Sequence, residues 1–198
     1  MSLGDSRFRS FSPGDHAGIG WWILRNIELK ARLTDLDAAR KVAQAIATKR
    51  LGDQHELDTY FRCRRGRLKI RQSNGLSAEL VWYARPDQSG PKPSDYVLVP
   101  ISNPESLKAA LTAALGVFRV VEKRREIFLC GNVRIHLDEV KGLGRFLEFE
   151  AVLGPEMDDR AGRRQLEHLA GEFSLDAADL VHCSYADMLP SAPHRGSQ

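Results

Sequence analysis

Glu148 and Glu150 stand two residues apart in a run whose neighbours, Leu147 and Phe149, are apolar. On a strand, residues two apart point to one side, so these carboxylates would sit about 7 Å apart along the backbone. Glu28 and Asp138 occupy comparable alternating positions, and the four together could hold one or two hard divalent cations. Magnesium favours a few carboxylates, retained waters and phosphate oxygens. A carboxylate pair at this spacing also suits a solvated strand, and at this point both readings stand.

Cations recur with the same period. Glu28, Lys30 and Arg32 share a face, as do Arg67, Lys69 and Arg71, then Glu79, Tyr83 and Arg85. Lys123 pairs with Arg125 in this way, and Arg134 with His136 and Asp138. The residues between are largely apolar, so one sheet face is expected to lie beneath helices. The other face carries both signs in short ordered groups. If the sheet closes with that face inward, it lines a polar lumen, and a hydrated polyanion would offset the cost of burying its charges.

The bulk charge says less. Lys and Arg number 29 against 26 Asp and Glu, a net charge of +3. Their placement is uneven: Tyr60 to Arg71 holds six basic residues and no acid, and Asp138 to Glu150 holds four acids. Nucleic-acid binding is not expected, because the basic run lacks interleaved stacking aromatics. No apolar run approaches the roughly 20 residues of a membrane span, nor a signal-peptide core. Cys63, Cys130 and Cys183 lack CxxC spacing and read as reduced thiols of a cytoplasmic protein. Cys63 is expected to pack as a small buried residue, and His136 as a hydrogen-bonded structural histidine. Phosphate-loop, HExxH and dinucleotide motifs are absent from the sequence.

The elements follow from periodicity and punctuation. Residues 1–24 read as a flexible extension and 191–198 as a tail, leaving one domain at 25–190. Asn26 to Leu33 predicts a half-buried strand, and Thr34 starts a helix bearing Leu36, Ala39, Val42, Ala43 and Ile46. A short strand at Leu57–Cys63 leads through Gly66 to Arg67–Gln72, and Asn74-Gly75 signals a hairpin into Ala78–Arg85. The proline-rich stretch Pro86–Ser94 predicts a loop, followed by a strand at Tyr96–Ile101. Asn103-Pro104 caps a second helix that Gly116 ends. Strands at Phe118–Leu129, Asn132–Val140 and Phe146–Leu153 follow, then a helix at Asp159–Phe173 and a short one after Asp176. Eight strands joined mostly by hairpins, with few helices, predict an α+β fold whose antiparallel sheet is closed or strongly curled.

Several segments, in order, resemble the CYTH superfamily, the triphosphate tunnel metalloenzymes, which include class IV adenylate cyclases and thiamine triphosphatases. The family's opening ExExK is matched by Asn26-Ile27-Glu28-Leu29-Lys30, with Asn26 replacing the first glutamate. Further matches are Asp58-Thr59-Tyr60-Phe61, Gly66 to Arg71, Tyr83 to Asp87, Val121 to Arg125, Asp138 to Glu150 and Ser184 to Leu189. The likeness runs from about Arg25 to Leu189. It implies a closed antiparallel eight-stranded β-barrel with a few packing helices and an interior that grips a triphosphate.

Carried over, the resemblance implies that Lys30, Lys69, Arg71, Arg85, Lys123, Arg125 and Arg134 hold phosphate oxygens. Glu28, Lys30, Lys123 and Arg125 are the catalytic set it implies. Glu28, Asp138, Glu148 and Glu150 fall on metal-binding or water-activating positions, with Mg2+ or Mn2+ as the cofactor. The implied substrate is ATP, converted to cyclic AMP and pyrophosphate, or else thiamine triphosphate or inorganic tripolyphosphate undergoing hydrolysis. A non-catalytic nucleotide- or polyphosphate-binding module is the third reading. The expected partner is thus a small triphosphate, with neither nucleic acid nor membrane, and a homodimer is left open.

Overall fold

In the computed structural model, which describes residues 23–154 and 157–190, eight strands close into one antiparallel barrel. They are β1 (Leu24–Leu33), β2 (Lys49–Phe61), β3 (Arg67–Ser73), β4 (Ser77–Ala84), β5 (Lys92–Pro100), β6 (Val117–Cys130), β7 (Val133–Val140) and β8 (Gly144–Val152). Around the barrel the order is β1-β5-β4-β3-β2-β6-β7-β8. The strands from β2 to β5 and from β6 to β8 pair in sequence order as hairpins, β2 joins β6, and β1 closes the ring by pairing with both β5 and β8. The expectation of a closed eight-stranded antiparallel barrel holds. The expected N-terminal extension and C-terminal tail lie almost wholly outside the described residues.

Four α-helices accompany the sheet: α1 (Leu36–Ile46), α2 (Pro104–Leu115), α3 (Asp159–Glu172) and α4 (Tyr185–Met188). Leu36, Ala39 and Ala43 of α1 and Leu166 and Leu169 of α3 cover the apolar outer face of β1, β7 and β8. That face supplies Ile27, Leu29, Val133, Ile135, Leu137, Leu147, Phe149 and Ala151, all buried. Helix α3 approaches closely because it presents Gly162 to β1. A Cβ there would lie 2.7 Å from Ile27 Cγ1 and 3.0 Å from Leu153 Cδ2. Gly162→Ala should therefore destabilise the fold on balance: overpacking costs about 1–3 kcal/mol, against about 1 kcal/mol of improved helix propensity. A melting temperature equal to or above that of the parent would contradict this packing.

Four expectations need correction. Strand β1 is not half-buried, since Asn26, Glu28 and Lys30 are as enclosed as their apolar neighbours; closing the barrel removes the solvated face. Strand β2 is longer than the short Leu57–Cys63 segment, starting at Lys49. Its polar first half lacks apolar alternation yet pairs with β6 throughout. The loop at Pro86–Ser94 ends early, because Lys92 already begins β5. Helix α1 is capped by Asp35 rather than Thr34, its carboxylate accepting from the Asp37 and Ala38 amides at 2.9 and 3.0 Å. The hairpin at Asn74-Gly75 forms as expected, with φ of 53° and 65°, a left-handed pair that glycine and asparagine tolerate.

Candidate active site

Registers place the alternating charges on the inside. Glu28 lies opposite Glu150 and Lys30 opposite Glu148 across β1–β8. Arg125 faces Asp138 across β6–β7, and His136 faces Glu148 across β7–β8. Of these, Glu28, Lys30, Arg125, Glu148 and Glu150 line one cavity, together with Lys69 and Arg71 from β3, Lys123 from β6 and Arg85 just after β4. Its wall also includes Asn26, Asp58, Tyr60, Tyr83, Tyr96 and Leu98.

An apolar cluster adjoins the cavity: Val121, Val140, Phe146 and Tyr60 meet Val181, Tyr185 and Ala186 of the segment after α3. That segment is stitched to β1 by the Val181 amide, which donates to Lys30 O at 2.8 Å. Lys92, fully buried, donates to Val181 O at 3.2 Å and Gln88 O at 2.9 Å. Burial, with Arg85 and Lys30 close by, draws its pKa down to about 8.

The cations are held by carboxylates in two linked clusters. In the first, Lys69 Nζ donates to Asp58 Oδ2 at 2.6 Å, and Arg71 Nε to Asp58 Oδ1 at 3.1 Å. Lys123 Nζ lies 2.5 Å from Glu56 Oε2 and 3.1 Å from Asp58 Oδ2. Burial alone would raise both acids, but Lys123, Lys69 and Arg71 hold Asp58 well below the carboxylate range, and Arg71, Lys123 and Arg125 lower Glu56.

Arg125 organises the second cluster. It donates to both oxygens of Asp138, at 2.7 and 2.6 Å, and to Glu148 Oε2 at 2.6 Å. Lys30 Nζ lies 3.2 Å from Glu148 Oε1 and 3.7 Å from the Tyr185 ring centre, a cation–π contact. The Tyr185 hydroxyl donates to Asp138 Oδ2 at 2.8 Å. Glu148 is held far below its ordinary range, burial being overcome by Lys30, His136 and Arg125.

Sequence-derived candidates therefore fall into different settings. Lys30, Lys69, Arg71, Arg85, Lys123 and Arg125 all border the cavity, and Glu28 pairs with Arg85 inside it. Arg134 sits at the rim, 45% exposed, 3.6 Å from Glu150. Asp138 is fully buried beneath the cavity with both oxygens engaged by Arg125. Glu148 and Glu150 also line the cavity, and they share a small cluster with His136, the donor atoms lying within 4.8 Å of one another. The buried Nδ1 of His136 lies beyond hydrogen-bond distance of both glutamates and has no hydrogen-bond partner. Cys63 is exposed rather than buried as expected.

Sequence reasoning missed Glu56, Lys92 and Tyr185, and left Asp58 without a role. Glu56, Asp58 and Tyr60 do alternate, and that period was the available signal. Lys92 had none, lying between prolines.

Lys69 makes the site sensitive to pH. Burial, then repulsion by Arg71, brings its ammonium down to about 7, despite Asp58. A bound polyanion would favour the protonated form, which prevails below about pH 7 and is lost in the free protein above it. Affinity for tripolyphosphate should fall as pH rises from 7 to 8, with proton uptake on binding. Calorimetry in buffers of different ionisation enthalpy would detect that uptake; undiminished uptake in Lys69→Met would disprove the assignment.

A CYTH domain family model matches residues 24–185. No curated protein sequence gives a significant match. Among solved structures, the PH1012 protein of Pyrococcus horikoshii is similar, with TM-score 0.74 and 24% identity over 83% of this chain and 99% of that one. A candidate adenylate cyclase from Vibrio parahaemolyticus gives 0.67 and 22% identity, covering 83% and 97%. A Hippeastrum protein, HpAC1, described as having a dominant triphosphatase activity, gives 0.54 and 16%, covering 80% and 91%. At these identities the structures speak for the fold, while the family model spans most of the sequence. With that span and an eight-stranded barrel whose lumen is lined by paired cations and acids, the chain belongs to the CYTH domain family of triphosphate tunnel metalloenzymes.

Proposed function

We propose that residues 25–190 form a divalent-metal-dependent enzyme acting on a triphosphate inside the barrel, with ATP cyclisation to cyclic AMP and pyrophosphate as the leading reaction. The observation that carries this reading is the burial of Lys30, Lys69, Lys123 and Arg125, each at most 5% exposed, around one cavity. Buried cations are costly unless paired. Here carboxylates pair them within the protein, and phosphate oxygens offer equivalent partners.

Arg71, Arg85 and Arg125 would present guanidinium forks to the phosphates, and Lys30, Lys69 and Lys123 movable point charges. Glu56 and Asp58 hold Lys69, Arg71 and Lys123 in place beforehand, which lowers the cost of reorganisation on binding. Asp138 would position Arg125, and the Tyr185 hydroxyl would fix Asp138.

The chain's donors fit a divalent cation: Glu148 and Glu150 supply oxygens, and the unpartnered His136 Nδ1 faces them. Bound there, the cation would offset phosphate charge and polarise the phosphoryl group. Val81, Tyr83, Tyr96 and Leu98 add an apolar and aromatic wall to the cavity, which favours a substrate carrying an organic group over bare tripolyphosphate. A second reading, hydrolysis of thiamine triphosphate, is favoured by Glu150. Its side chain is 19% exposed and its pairing with Arg134 is longer than a hydrogen bond, leaving a carboxylate with solvent access to orient water.

The test is a product assay with ATP, thiamine triphosphate and tripolyphosphate, each with magnesium and with manganese. Cyclic AMP with pyrophosphate supports the cyclase reading. Orthophosphate without cyclic AMP moves the assignment to the hydrolase. Tight binding without any product would leave a non-catalytic module.

A further inference from the structure

His136 sits on β7 between Ile127 of β6 and Glu148 of β8, with its ring enclosed. Its Nδ1 lies 3.7 Å from Glu148 Oε2 and 3.9 Å from Glu150 Oε1. Both distances are too long for hydrogen bonds. A buried ring nitrogen left without a partner in a site this polar costs free energy.

Two ligands that share a metal through bonds of about 2.1 Å stand roughly 3.4 Å apart in a tetrahedral set and 3.0 Å apart in an octahedral one. The two distances from His136 exceed such values by less than 1 Å, and all three donor atoms lie within 4.8 Å of one another. Glu148 Oε2 accepts from Arg125, yet a carboxylate oxygen has a second lone pair.

The other nearby carboxylates are differently engaged. Asp138 gives both oxygens to Arg125 and one also to Tyr185. Glu28 pairs with Arg85, and position 26 offers an amide rather than a carboxylate. Lys30 and Arg125 also offset the negative charge of Glu148. A magnesium ion, held by charge and oxygen donors alone, gains little here. A first-row transition ion gains a nitrogen bond that does not depend on net charge.

We infer that His136 Nδ1, Glu148 and Glu150 form a mixed nitrogen–oxygen site that takes a first-row transition dication, such as cobalt or nickel, in preference to magnesium. This deepens the metal dependence of the proposed function and rests on that reading only for the use made of the ion. Imidazole as a ligand is the distinctive element. It makes the barrel's metal preference a property of β7 as well as of the paired glutamates on β8.

Two measurements on the full chain, without any triphosphate, test it. Pulsed electron paramagnetic resonance of the Mn2+-loaded protein should show modulation from a directly bound nitrogen-14. Calorimetric titration should show Co2+ and Ni2+ binding weakened at least tenfold in His136→Phe, with Mg2+ binding changed less than twofold. Nitrogen coupling absent from the parent protein would overturn the inference, as expected if the ring were only an imidazolium paired with two carboxylates. So would equal losses for all three ions, or none. Because no triphosphate is present, a lack of activity towards ATP or thiamine triphosphate leaves these readouts unaffected and bears on the proposed reaction alone.

Discussion

Glu148→Gln is expected to lower turnover by at least about 100-fold, the scale seen when a charge-stabilising group is removed from a preorganised site. Glu148 is where the lumen's networks meet. Its carboxylate lies beside Lys30, Arg125 and His136. The amide keeps the shape but removes the charge that would hold a cation and orient both basic groups. Divalent-ion binding should weaken in parallel, while the fold persists, since Arg125 keeps its paired bonds to Asp138. Steady-state kinetics and metal titration on the same preparation check this; full turnover with ordinary metal dependence would remove Glu148 from the site.

Arg125→Met should have the largest effect on stability. The guanidinium is 4% exposed and satisfies Asp138 and Glu148 together. Without it Asp138, which is fully enclosed, keeps only the Tyr185 hydroxyl among its described hydrogen bonds. Breaking a buried pair from one side costs about 3–5 kcal/mol, measurable by urea denaturation at pH 7.

The pH dependence has a definite sign. Both acids are lowered in the folded protein, despite burial, by the cations around them. Their pairing therefore adds stability above about pH 4, the unfolded carboxylate value, and that stability disappears as pH falls further. The gap between parent and variant should narrow in acid. A gap that is constant with pH would mean that Arg125 acts by packing alone.

Much of this lumen was legible because strand alternation is a strict rule. Lys69 and Arg71, Lys123 and Arg125, and Glu148 and Glu150 each share a side because the pleat has a period of two. Whether that side faces water or a lumen depends on closure, and closure depends on β1 pairing with both β5 and β8. Those contacts join residues far apart in sequence, which is why Asn26 to Leu33 read as half-buried from its own pattern.

Residues outside the pattern were harder to find. Lys92 lies among prolines, glycine and serine that read as loop, yet it is buried with its ammonium donating to the distant Val181 carbonyl. Tyr185 lines the cavity from a four-residue helix whose position no local periodicity reveals. Asp138 shares the inward face with His136, but only the bidentate geometry of Arg125 shows that it positions a cation. His136 shares its face with Arg134 and Asp138, but its nearness to Glu148 and Glu150 emerges only where β7 lies against β8.

The most direct test of a triphosphate-gripping lumen is calorimetric binding of tripolyphosphate, pyrophosphate and orthophosphate to the full chain at pH 6.5 with chelator present, about half a unit below the Lys69 value. A triphosphate can engage the cations of β1, β3, β4 and β6 together, whereas shorter anions leave some on their carboxylates. Tripolyphosphate is expected to bind at least tenfold more tightly than pyrophosphate, and orthophosphate more weakly still. Equal affinities for all three would contradict the lumen as a triphosphate site.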